Sequence, residues 1–256
     1  LGDVYKRQHL IMLDTRQYGR DKQIQPKEYL TKSGFNQAKF YNDLNSNNRE
    51  LLGSEQLSWI EKSILSTNAV WTIFGQQVLM AKLKFPDISK MLRSEEIPSF
   101  LKPYLKFLGL GIPSNLDAWD GYPAERNRLY QLMINAKKRF ISLAGDTHNS
   151  WVSELEDQSG SKVGIELGAP SVTSPGITDI LNLDEKKFVD SIVKINKELQ
   201  WMDPSNRGYL SLDCMEDKII ASFNYIKELE EINSDISSSK SFVLRREGLE
   251  LEEIKA

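Results

Sequence analysis

The segment Gly145-Asp146-Thr147-His148 follows a short apolar run, Phe140 to Ala144, and sets a carboxylate and an imidazole two residues apart. Such a pair is a mixed oxygen–nitrogen ligand set for a divalent or trivalent metal. Gly145 would let the backbone turn sharply, so that both side chains point the same way. The plainer alternative is a turn aspartate and a structural histidine. A second cluster is Asp117-Ala118-Trp119-Asp120-Gly121-Tyr122-Pro123. Its two carboxylates repel unless something positive lies between them, and hard cations such as Ca²⁺ gather several oxygen ligands. Equally, Asp120 could cap the next helix while Asp117 is solvated. A third cluster is Asp14-Thr15-Arg16. Arg16 could present its planar fork to a phosphate, with Asp14 orienting it or serving a metal. A structural Asp–Arg ion pair fits the same residues.

These clusters need a scaffold that brings them together. His9 to Leu13, Ala69 to Phe74 and Phe140 to Ala144 have the continuous apolar pattern of strands buried on both faces. If those strands are parallel neighbours, the clusters meet at one rim, where open sheet-and-helix folds collect ligands. Helices are expected from Ser54 (Leu57, Ile60, Ile64 and Leu65 inward), from Pro123 (Leu129, Leu132, Met133 and Ala136) and from Asp184 (Phe188, Val189, Ile192, Ile195 and Leu199). Two hairpins are expected, Trp151–Leu155 with Val163–Leu167 and Tyr209–Cys214 with Ile219–Phe223. Gln17 to Gly53 reads as a long loop with one short turn of helix. Residues 85–119 hold Pro86, Pro98, Pro103 and Pro113 and read as a lid or binding loop. Ser234 to Ala256 reads as a weakly packed tail or a late edge strand. The expected class is α/β, with layered helices and mixed sheets.

Composition narrows the chemistry. The 256 residues include one cysteine and two histidines, so an internal disulfide, a zinc–thiolate cluster and a poly-histidine site are excluded within this chain. A bound metal would be held mostly by oxygen. With 33 Lys+Arg against 36 Asp+Glu, the net charge of −3 argues against a broad basic face for nucleic acid or anionic membrane. No apolar run reaches the roughly 18–20 residues of a membrane span. Cys214 alternates with Leu210 and Leu212 and reads as packing. Motifs for serine hydrolysis or nucleotide cofactors are lacking.

The ordered set LDTRQYGRD (13–21), AVWTIFGQQVLM (69–80), DAWDGYPAERNRL (117–129), LAGDTHNSWVSEL (143–155), GAPSVTSPG (168–176) and WMDPSNRGYLSLD (201–213) resembles the PhoD-like alkaline phosphatases across residues 9–226. The resemblance implies a metallophosphatase-like layered α/β sandwich. It implies hydrolysis of phosphate monoesters or diesters at alkaline pH, with Ca²⁺ and Fe³⁺, in an exported protein. Related phosphoesterases carry Gly-His-x-His where this chain has Gly145-Asp146-Thr147-His148, so Asp146 and His148 look like metal ligands. Asp117 and Asp120 look like further acidic ligands. Arg16 is the implied phosphoryl-binding catalytic group, and Trp119 and Tyr122 complete the implied substrate contacts. Gly75-Gln76-Gln77 departs from the family's Gly-Asn-Gln, which leaves a role for Gln76 open.

The family's first metal motifs, with an aspartate, a Gly-Asp turn and a cysteine, lie upstream of the Asp-Thr-Arg strand. The chain is therefore expected to be the C-terminal portion of such a domain, with the N-terminal half outside it and little activity alone. Leu1 to Gln8 is expected to be a non-native leader, although a frayed natural terminus also fits. Residues 227–256 form the expected charged tail. A small phosphate ester is the expected partner of a monomeric protein. The alternatives are a phospholipase D-like diesterase and a non-catalytic binding module on the same fold.

Overall fold

The computed structural model describes residues 7–88, 91, 107, 110–227 and 235–254. Its centre is a six-stranded sheet in the order β1-β4-β5-β7-β6-β8. The strands are β1 (Gln8–Met12), β4 (Trp71–Gln76), β5 (Phe140–Ala144), β6 (Ser150–Glu156), β7 (Lys162–Gly168) and β8 (Leu199–Asp203). β1, β4, β5 and β7 run parallel, while β6 pairs antiparallel with both β7 and β8. The sheet is therefore mixed, as helix–strand alternation followed by hairpins requires.

Helices cover one face of this sheet. They include α2 (Ser54–Ser66), α3 (Pro123–Asn135) and α5 (Glu185–Ile195). Ile60, Ile64, Leu129, Met133, Phe188 and Ile192 pack there with Phe74 and Phe140 from the strands. The opposite face packs against a four-stranded antiparallel sheet, β12-β11-β10-β9, made of β9 (Gly208–Cys214), β10 (Lys218–Ile226), β11 (Ile236–Arg245) and β12 (Leu251–Ile254). Its inward residues Ile219, Ala221, Phe223, Phe242 and Leu244 meet Ile73, Ile141, Val152 and Ile165 in a second core. The result is helices, sheet, sheet, the layered α/β sandwich expected. Cys214 packs beside this second core.

Several details differ from expectation. The region 17–53 is not one loop. It holds a short 3₁₀ turn at Pro26–Tyr29, a small hairpin of β2 (Leu30–Thr31) and β3 (Gly34–Phe35), and α1 (Gln37–Leu44). A separate aromatic cluster of Tyr29, Phe35 and Phe40 holds it, spread too far along the sequence to show a period. β1 is not buried on both faces: Ile11 is buried, whereas Leu10 and Met12 are exposed. It pairs with β4 alone among the described residues and so forms an edge of the sheet there. Leu65 is exposed too, at the edge of the stripe carried by Ile60 and Ile64.

Gln8, placed in the suspected leader, pairs with Trp71 in β1. The described part of the expected tail is a full member of the second sheet. β11 pairs with β10 from Arg245 to Ile236 and buries Phe242 and Leu244. Serine and lysine on its outward positions mask the alternation. In the expected lid, residues 89–90, 92–106 and 108–109 lie outside the described residues. A short α4 (Ile177–Leu181) completes the chain order.

Candidate active site

β1, β4 and β5 are parallel neighbours, so the segments after their carboxyl ends converge on one rim. After β1, the Asp14 carboxylate accepts the amides of Arg16 at 2.8 Å and Gln17 at 2.9 Å. Those bonds hold its pKa below the ordinary carboxylate value. Asp14 thus shapes the turn that aims Arg16. Gln77, just past β4, receives both the amide (2.9 Å) and hydroxyl (2.6 Å) of buried Thr15 and donates to the Leu13 carbonyl at 3.1 Å. One side-chain amide therefore locks the exit of β1 to that of β4.

The Arg16 guanidinium bridges two carboxylates, Asp117 and Asp146, in the charge-assisted geometry arginine favours. Its side chain keeps 33% of its surface exposed, so the fork sits at the mouth of the site. Asp117 is gripped from the other side by Arg20, which also donates to the Asp117 carbonyl at 2.7 Å and the Thr15 carbonyl at 3.0 Å. Arg20 is a site residue that the sequence reading missed. Its signal was the four-residue spacing from Arg16 within one segment, which resembles ordinary surface charge.

After β5, Asp146 and His148 both take left-handed backbone conformations, with φ of 60° and 61°. Non-glycine residues there carry strain of about 1–2 kcal/mol each, and such strain gathers at functional turns. Gly145 does not supply the turn: it lacks a positive φ, and a Cβ on it would meet open space. The loop is held instead by Thr147, whose hydroxyl accepts from the Trp151 indole at 2.8 Å, and by Asn149, which donates to the Thr147 carbonyl at 2.6 Å. His148 Nδ1 lies 3.2 Å from the Pro175 carbonyl. That contact favours a proton on Nδ1 and leaves Nε2 as the lone-pair donor, the usual orientation of a metal-binding histidine.

Asp146 and His148 line one cavity of about 340 Å³, whose wall includes Val78, Leu79, Phe85 and Trp151. Their chemistry fits two ligands of an oxygen-preferring metal. No group of three or more His, Cys, Asp or Glu that could hold a metal occurs among the described residues.

Asp120 does not join the rim. It is buried, pairs with Arg126 at 2.8 Å and accepts the Leu83 amide at 2.9 Å. Both its oxygens are used, which removes it from the expected ligand set and also from the helix-cap alternative. The reason is Gly121, where a Cβ would lie 2.0 Å from the Leu116 carbonyl. This close turn directs Asp120 inward while Asp117 stays at the mouth.

Trp119 and Tyr122 are fully buried rather than open to a substrate. The Trp119 indole donates to Gln76 at 2.6 Å, and the Tyr122 hydroxyl donates to the Asp21 carbonyl at 2.8 Å. Arg20 and Arg49 lie over the Tyr122 ring at 5.2 and 4.8 Å. Tyr122 thus supports Arg20 from beneath. Gln76 has a structural place as well, donating to Ser142 at 2.8 Å.

Asp120 belongs to a different device. Five consecutive amides leaving β4 are each received by a side chain. Met80 and Ala81 donate to Glu166, Lys82 to Glu198, Leu83 to Asp120 and Lys84 to Asn196, at 2.7–2.9 Å. The strap has no regular structure, so these acceptors replace a ladder.

Burial pushes the Glu166 carboxyl up to about 7, against the opposing pull of the Ala81 and Met80 amides. The folded chain therefore holds a proton that the unfolded chain, with an ordinary value of 4.5, has released. That contribution is present below the unfolded pKa and is lost as pH rises through about 7. Urea unfolding should show stability falling by up to about 3 kcal/mol between roughly pH 5 and pH 8. Glu166→Gln should flatten the slope, and an unchanged slope in that variant would remove Glu166 as its source.

Comparisons with known proteins place the chain in a family. A family model described as PhoD-like phosphatase matches residues 6–223. Alkaline phosphatase D of Bacillus subtilis (strain 168) is 28% identical over 250 residues, covering 96% of this chain and 37% of that protein. A solved structure described as "Structure of PhoD" matches with a TM-score of 0.70 at 25% identity, covering 98% of this chain and 42% of the other. The chain thus spans less than half the length of these relatives. With its fold and most of its length matched, the chain belongs to the PhoD-like phosphatase family.

Proposed function

We propose that the whole protein hydrolyses phosphate esters at this rim in a metal-dependent reaction. The observation that carries the reading is the convergence of Arg16, Asp117, Asp146 and His148 beyond adjacent parallel strands. Family membership supports the same chemistry. Asp146 and His148 would hold the cation, which when bound neutralises charge on the phosphoryl oxygens. Ca²⁺ and Fe³⁺ are the cations proposed, in an exported protein, on the strength of the family resemblance.

Arg16 binds non-bridging phosphoryl oxygens with the guanidinium N–H groups left after it grips Asp117 and Asp146. Asp117 and Arg20 are positioning residues that fix the guanidinium before substrate arrives, which lowers the cost of ordering it. The Pro175 carbonyl keeps the His148 proton on Nδ1. The apolar wall at Val78, Leu79, Phe85 and Trp151 receives the organic part of the ester and keeps water from that side.

The test is turnover of p-nitrophenyl phosphate and bis(p-nitrophenyl) phosphate by the whole protein, with and without chelator. Turnover of at least one, lost on chelation and restored by added metal, is expected. No turnover of either, or turnover indifferent to chelator, would sink the proposal.

A further inference from the structure

The end of the central sheet opposite the rim carries a second concave surface, a cleft of about 640 Å³. It lies at the amino ends of β4, β5 and β7, about a strand length from Arg16, or roughly 17 Å. Its wall holds five cationic side chains, Lys137, Lys138, Arg139, Lys162 and Arg246, and no described Asp or Glu. In a chain of net charge −3 this concentration stands out. Like charges gathered in a cleft repel, and the low-dielectric wall focuses their field toward an anion.

Local structure accounts for only two of the five. Lys138 donates to the Ile64 and Thr67 carbonyls, both at 2.7 Å, and so caps the end of α2. Lys162 pairs with Glu154 and reaches the Leu249 carbonyl at 3.3 Å. Lys137, Arg139 and Arg246 are exposed and have no side-chain partner among the described residues. They come from separate places, the α3–β5 connection and the turn between β11 and β12. Helix-dipole compensation at α3 cannot explain Arg246, which arrives from the other sheet.

We infer that this cleft is an anion site for a small ligand carrying two or more phosphate groups. The three unpartnered cations and the neutral donors Thr67 and Asn68 provide charge and hydrogen bonds for several oxygens at once. A nucleic-acid strand is disfavoured because the cleft offers no open stacking face. Trp71, its one aromatic lining residue, is buried, and its indole donates to the Met215 carbonyl at 2.7 Å. The site is separate from the proposed hydrolytic rim and does not depend on it.

Titration calorimetry of the full chain with inorganic pyrophosphate at low salt tests the inference. One equivalent should bind, at least tenfold more tightly than orthophosphate. The double variant Arg139→Gln/Arg246→Gln should weaken binding at least tenfold with its circular dichroism unchanged, and Lys137→Glu alone should weaken it similarly. His148→Ala, on the opposite rim, should leave pyrophosphate affinity as it was. Three results would overturn the inference: no pyrophosphate binding, affinity equal to the parent's in both the double variant and Lys137→Glu, or tighter binding of a single-stranded oligonucleotide through the same residues.

Discussion

Replacing Arg126 by alanine is expected to destabilise the chain by about 3–5 kcal/mol, because it leaves the Asp120 carboxylate buried without its counter-charge. Arg126 and Asp120 keep only 5% and 7% of their side-chain surface. Arg126 also donates to the Met80 carbonyl at 2.9 Å, so the change releases one end of the strap leaving β4. Urea unfolding should show the loss as a lower midpoint with an unchanged slope. Arg126→Met combined with Asp120→Leu should recover part of it, since the buried charge is gone while the Leu83 amide still lacks its acceptor. A double variant no more stable than Arg126→Ala would mean that lost packing, rather than an orphaned charge, dominates.

Arg16→Ala in the whole protein is expected to lower kcat/KM for a phosphate ester about 100-fold, the scale seen when one preorganised donor to developing charge is removed. Arg16→Lys should recover little, because an ammonium cannot span the Asp117 and Asp146 carboxylates as a planar fork does. Stability should change by less than about 1 kcal/mol, as these pairs are partly solvated. Activity within twofold of the parent in Arg16→Ala would remove Arg16 from the reaction.

Much of this was legible in the sequence for physical reasons. Apolar runs ending in glycine, at Gly75 and Gly145, marked β4 and β5, and the capping of α5 by Asp184, which accepts the Lys187 amide at 3.0 Å, was readable from residue order. The convergence of Asp14, Arg16 and Asp146 followed from strand adjacency. What stayed hidden depends on side-chain direction. Asp117 and Asp120 look equivalent in a string of letters, and only the close turn at Gly121 sends one to the mouth and the other into the core. Trp119 and Tyr122 look like substrate contacts because aromatics beside carboxylates often are, but their polar atoms are satisfied inside the protein. Arg20 was hidden because its role is to hold Asp117, a contact between residues 97 positions apart. The basic cleft escaped for the same reason: a net charge reports a sum, whereas a cleft is made by where Lys137, Arg139 and Arg246 meet.

The most direct test of the hydrolytic rim is Asp146→Asn in the whole protein, measured as bound metal per chain alongside phosphate-ester turnover. The amide keeps the shape of the side chain but removes the charge that serves both Arg16 and a cation. Bound metal and turnover should fall together, with turnover down by about 100-fold or more. Metal content and turnover both equal to the parent's would contradict the assignment of this rim as the place where phosphate esters are cleaved.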